Sequence, residues 1–160
     1  MTATIITILI WICALGSGLM AGVYFAFSTF IMAAFARIPQ AHGISAMQSI
    51  NVVIVKSLFL PLFFGTTLIG LFLAGWALYQ WDQPGAVLLL AGGLVYALCM
   101  FASTIVFNVP LNNALAAMDG ASAEATAVWT RYLKEWVFWN HVRTVASTLA
   151  CALFIAALAA

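Results

Sequence analysis

The chain has 160 residues, of which 66% are hydrophobic and 6% charged, with a formal net charge of +1. A water-soluble domain carries about a quarter charged residues, and a disordered chain is polar and highly charged, so the composition excludes both classes. The near-neutral balance leaves no electrostatic footprint for nucleic acid.

Four stretches are long enough to cross a hydrocarbon core, which takes about 20 apolar residues each. They cover about residues 4–35, 52–79, 85–109 and 137–160. Charged or Pro/Gly-containing segments separate them: Arg37-Ile38-Pro39, the run 81–85, and the stretch from Pro110 to Trp136. No Lys or Arg precedes Arg37, so the first stretch reads as a retained span and not a signal peptide. Backbone groups in lipid must find partners within the protein. The expected fold is therefore all-α: an integral membrane, up-down four-helix transmembrane bundle forming one domain over 1–160. A helix starting after Pro39 and Gly43 is expected to continue into the second span, where Pro61 predicts a kink. Ser122 is the expected N-cap of one helix running from Ala123 to the C-terminus. Helices two and four should thus extend into a small extramembrane head.

Arg37, Lys56, Arg131, Lys134 and Arg143 lie in or near the 36–51 and 110–136 loops, whereas Asp82 marks the opposite side. The positive-inside rule places those loops in the cytoplasm and both termini outside, as a multi-pass protein of the inner cell membrane. Trp76, Tyr79 and Trp81 suit one headgroup belt, and Trp129, Tyr132, Trp136 and Trp139 the other. Ala14, Gly18, Gly22 and Ala26 repeat every four residues, a pattern that lets helices approach closely. Packing within the bundle is the expected use, and a homodimer through the Gly18 and Gly22 face is the competing one. Cys13, Cys99 and Cys151 form no C-x-x-C pair and read as buried thiols.

Polar residues gather at one end of this topology. Gln48, Asn51 and Lys56 start the second helix, Asn108, Asn112 and Asn113 end the third, and Asn140, His141, Arg143 and Thr144 start the fourth. On the fourth helix Trp136, Asn140, Arg143 with Thr144, Ser147 and Cys151 follow steps of three and four and form one stripe. His141 lies about 100° round from Asn140 and borders that stripe. Ser103 and Thr104 extend the lining along the third helix. Polar side chains within spans face the bundle interior or a wet cavity. A polar pocket is therefore expected at interface depth, open to a small apolar substrate or lipid.

Chemistry narrows the choice. No buried Asp or Glu, Ser-His-acid set, phosphate loop or dinucleotide fingerprint is present. His141 and His42 are the two histidines, too few for a three-ligand metal centre; His42 reads as a solvated loop residue. No cofactor is expected, with haem or a metal ion held through His141 as the alternative. A lone histidine among neutral donors and an arginine suits general base catalysis: His141 removes a proton from an acidic carbon or phenol, and Asn140 and Arg143 hold the resulting oxyanion. The competing classes are a small-molecule or lipid-binding membrane protein without enzymatic activity and a haem- or metal-binding redox protein.

The run 22–28 (GVYFAFS), the stretch 46–51 (AMQSIN), the run 108–112 (NVPLN) and the pattern Trp136-x-x-Trp139-Asn140-His141-x-Arg143-Thr144 together resemble the anthrone oxygenase family, also called the DUF1772 membrane family. The resemblance covers nearly the whole chain. It implies oxidation of a flat apolar, anthrone-like or polyketide-like substrate by dioxygen without a recognised cofactor, that is, a monooxygenase. It also implies a site formed by Asn51, Asn108, Asn112, Trp136, Asn140, His141 and Arg143, with Trp139 and Thr144 of the same run completing the binding set.

Overall fold

A computed structural model describes residues 2–160, and no strand occurs among the described residues. Four helices are long and apolar enough to cross a membrane: α1 (Ala3–Phe35), α3 (Phe59–Tyr79), α4 (Ala86–Ala116) and α5 (Ala123–Leu158). A further helix, α2 (Gln40–Ile54), joins the first two. The protein is thus a multi-pass membrane protein. α1 packs on α3 and α5, and α4 packs on the same two, closing an up-down ring of antiparallel neighbours.

Two apolar cores stack along this ring. One, with Met20, Tyr24, Phe63, Leu73, Tyr96, Met100 and Phe154, fills the bundle. The other, with Met32, Ile44, Met47, Leu115, Trp129, Tyr132 and Trp136, fills the head. Gly93 brings α3 and α4 into backbone contact, since a Cβ there would overlap the carbonyl oxygen of Gly70. At the other end of the bundle the chain turns into α4 through Gly85, whose φ of 78° is the left-handed conformation that favours glycine.

The head follows local rules. Ser122 caps α5, its Oγ accepting from the Ala125 amide at 3.2 Å. The Gln48 Nε2 donates to the carbonyls of Leu115 and Met118 at 2.9 and 3.0 Å, so this amide closes the C-terminal end of α4. Along α5, Trp129, Tyr132 and Trp136 form a stack with successive centroids 5.8 and 5.4 Å apart.

Three local expectations are corrected. The second helix does not run on from α2: the chain turns at residues 55–58, and Ser57 Oγ accepts from the Phe59 amide at 3.1 Å to start a new helix. Pro61 therefore falls in the first turn of α3, where its missing N–H costs nothing, and it breaks no interior ladder. α4 passes through Pro110 and continues to Ala116, directly after a π-helical segment at Thr104–Asn108 has widened the hydrogen-bond ladder.

These breaks set up a vacancy. α3 has 21 residues against 33, 31 and 36 in its neighbours. At about 1.5 Å per residue it is roughly 15–22 Å shorter. The other three helices continue into the head while α3 stops, and α2 covers the space above it.

Candidate functional site

That space is a cavity of about 180 Å³. Every helix contributes to its wall: Tyr24 and Phe27 from α1, Met47 and Asn51 from α2, Phe59 and Phe63 from α3, Thr104 and Asn112 from α4, and Trp136, Asn140 and Arg143 from α5. Three of these wall segments are π-helical or adjoin π-helical turns, at Phe27–Ile31, Thr104–Asn108 and Tyr132–Trp136. Such turns are frequent at functional sites because they re-aim side chains within a helix.

Arg143 is the centre of the arrangement. Its side chain is buried, with Cζ 4.4 Å from the Tyr24 ring centroid and 5.0 Å from that of Trp136. Its Nη2 donates to Asn140 Oδ1 at 2.7 Å. Asn140, wholly buried, spends its own N–H groups on the Tyr24 carbonyl and on Ser28 Oγ, each at 2.7 Å. Ser28 is in turn 3.0 Å from the Thr144 hydroxyl, which donates to the Asn140 carbonyl at 2.9 Å. The amide is thus locked between α1 and α5 and aims its oxygen at the guanidinium.

Arg143 is the one Lys or Arg side chain that lines the cavity. No Asp or Glu lines the cavity, and among the described residues the one ion pair is the exposed Arg131–Glu135 contact at 2.9 Å. The positive charge of Arg143 is therefore balanced only by a neutral amide and two aromatic faces. Three donors of wall residues also lack partners, Arg143 Nε, Trp136 Nε1 and Asn51 Nδ2, each of them buried within the wall. Leaving a buried donor unpaired costs about 1–3 kcal/mol each, and an uncompensated buried charge more. The cavity thus sets one cation among apolar walls with no acidic residue beside it.

The expected site residues separate into three groups. Asn51, Asn112, Trp136, Asn140 and Arg143 meet at the cavity. Asn108 and Thr144 stand behind its wall: Asn108 is wholly buried and donates to the Trp136 carbonyl at 3.1 Å, while Thr144 holds Asn140. His141 and Trp139 do not reach it. Trp139 stacks outside on Phe107, with centroids 3.6 Å apart. His141 is exposed and borders an apolar groove with Val95, Cys99 and Phe138 on the outer face of α4 and α5. For His141 the reason is angular. At about 100° per residue, Arg143 lies some 60° from Asn140 on one side and His141 about 100° on the other. The two cannot share a cavity that is centred on Arg143.

The sequence reading passed over Tyr24, Ser28 and Tyr132. Tyr24 and Ser28 sit four residues apart within the first span and pair with Asn140 and Thr144, also four apart. Tyr132, read as a belt residue, is wholly buried and donates to Asn112 Oδ1 at 2.7 Å. A tyrosine placed well inside a span was the available signal for Tyr24. Cys13 is buried, whereas Cys99 is exposed on the outer face. Gly18 packs against the Cys151 Sγ of the same chain, and Gly22 has nothing near it.

Fold and site together define a four-span membrane bundle with an arginine-bearing cavity at one end. The family model described as Anthrone oxygenase matches residues 52–153, which include α3, α4, most of α5 and every cavity residue except those of α1 and the α2 residues up to and including Asn51. The chain belongs to the anthrone oxygenase family. No curated protein and no solved structure matches it.

Proposed function

We propose that the protein is a membrane-embedded oxygenase that binds the anion of an anthrone-type substrate in the Arg143 cavity and delivers it to dioxygen. The carrying observation is the buried Arg143 cation on the wall of a cavity that no acidic residue lines, in a chain of this family. An anthrone loses a proton to become an aromatic oxyanion. Arg143 stabilises that anion and so favours loss of the proton to water; His141, on the outer face, takes no part. The electron-rich carbon para to the oxyanion forms a C–O bond with dioxygen, and protonation gives a hydroperoxide. Its O–O bond breaks as the remaining C–H proton leaves, yielding the quinone carbonyl and one water. Tyr24, Phe27, Phe59 and Phe63 supply the flat apolar walls.

The reading routes no step through a cofactor. Among the described residues no three His, Cys, Asp or Glu side chains gather, and a haem held by His141 would sit in the outer groove, away from Arg143. An absorbance spectrum and elemental analysis of the purified protein test that alternative. The concentration of Lys and Arg residues around the head supports a cytoplasmic head.

The test is oxygen uptake with an anthrone in nanodiscs. Wild type and His141→Ala are expected to consume oxygen at similar rates and Arg143→Met about a hundredfold more slowly, the scale of losing one oxyanion donor. Equal uptake by wild type and Arg143→Met removes the proposal. Binding of the anthrone without uptake in wild type marks the protein as a carrier.

A further inference from the structure

The cavity has a polar inner end and an apolar outer one. Arg143, Trp136 and Asn51 line the inner end. Toward the start of α3, residues that line the cavity are at the same time exposed on the outside of the bundle: Val55 at 48%, Phe64 at 46% and Ile105 at 46%. A wall residue that is half exposed on a lipid-facing surface marks an opening. The mouth lies between the 55–58 turn, the first turns of α3 and α4 at Ile105, and Val55, Phe64 and Ile105 give it an apolar rim.

Volume sets the second constraint. An engineered cavity of about 150 Å³ holds one benzene ring, and pockets for drug-sized ligands begin near 300 Å³. At about 180 Å³ the space takes a head of one or two fused rings; the third ring of an anthrone would remain in the mouth.

We infer that the preferred substrate is a membrane-resident phenol of one or two fused rings, with a hydrogen on the carbon para to the hydroxyl and an apolar tail that leaves through the Val55–Phe64–Ile105 mouth into the bilayer. The inference rests on the proposed oxygenase reading and narrows its substrate. The phenolic oxygen, as an anion, meets Arg143, Trp136 and Asn51. The tail never leaves lipid, so it adds no desolvation cost and holds the head at the level of the cavity. The chemistry balances with dioxygen alone. For a naphthol, C10H8O and O2 give the naphthoquinone C10H6O2 and H2O: the para carbon gains a C–O bond, the O–O bond breaks, and the two hydrogens lost leave as water.

The test compares 1-naphthol, 1-naphthol with a dodecyl chain on C2, and anthrone, bound without oxygen in nanodiscs at equal mole fraction of lipid. Binding to Arg143→Met is subtracted as the background. In wild type, the tailed naphthol is expected to bind within about threefold of the untailed one, and both more tightly than anthrone. Ile105→Trp, which fills the mouth from an exposed position, should weaken the tailed ligand by about tenfold, or 1.4 kcal/mol, and the untailed one by less than threefold. Phe64→Trp provides a second block from the other side. On admission of oxygen, wild type should convert the tailed naphthol to its quinone with uptake of one O2. Exclusion of the tailed ligand by wild type, or equal weakening of both ligands by both Trp variants, overturns the inference. If anthrone is still consumed in an Arg143-dependent way, that failure belongs to the tail and head size alone. Absence of any Arg143-dependent binding or uptake overturns the oxygenase reading with it.

Discussion

Asn140→Ala should damage the fold more than Arg143→Met, although Arg143 carries the charge. Asn140 is wholly buried and makes three hydrogen bonds of 2.7 Å, two donated to α1 through the Tyr24 carbonyl and Ser28 Oγ and one accepted from Arg143. Polar contacts inside membrane proteins average about 0.6 kcal/mol, which sets a floor of roughly 2 kcal/mol for three. Values of about 1 kcal/mol for each neutral bond and about 2 for the charged one set an upper figure of roughly 4 kcal/mol. For a chain of this size a loss of 2–4 kcal/mol lowers the unfolding midpoint by something on the order of 10 °C. Arg143→Met loses one of the three bonds but also removes a buried cation with no anionic partner, and Met fills similar apolar volume. Such exchanges are close to neutral, so a change within about 1.5 kcal/mol is expected. Thermal unfolding in detergent, followed by near-ultraviolet circular dichroism, compares the two variants. A larger loss for Arg143→Met than for Asn140→Ala would show that the guanidinium is a structural tie and not an anion receptor, and would refute the reading of the cavity.

Three further outcomes are expected. Gly93→Ala forces a Cβ onto the Gly70 carbonyl and to 3.0 Å from Ala74 Cβ, and should cost about 1–3 kcal/mol in the same assay, whereas Gly22→Ala meets nothing within 4 Å and should be neutral or stabilising. Ser122→Ala removes the acceptor for the Ala125 amide; it should cost about 1 kcal/mol, visible as faster amide exchange in the first turn of α5 with little change elsewhere. Lys56→Cys, on the exposed 55–58 turn, should react with a membrane-impermeant maleimide in inverted vesicles and not in intact cells if the head is cytoplasmic.

How much was legible beforehand differs from residue to residue. The Ser122 cap and the Trp136–Asn140–Arg143–Ser147 stripe were readable because they depend on backbone hydrogen bonding and a 3.6-residue period, both local. Gln48 looked like part of the site and is a clasp for the end of α4, since an amide near a helix start serves either role and only the position of the Leu115 and Met118 carbonyls decides. Cys99, expected to be buried, faces outward because a thiol is tolerated equally by lipid and core.

Composition and periodicity alone determined that the chain crosses the membrane four times and that amides and an arginine converge at one end, because lipid tolerates neither unpaired backbone nor scattered charge. Tertiary structure decided which flank of α5 faces inward. His141 and Arg143 are two residues apart, equally polar and equally placed along the chain, and only the way α5 is turned between α1 and α4 leaves Arg143 in the cavity and His141 outside it.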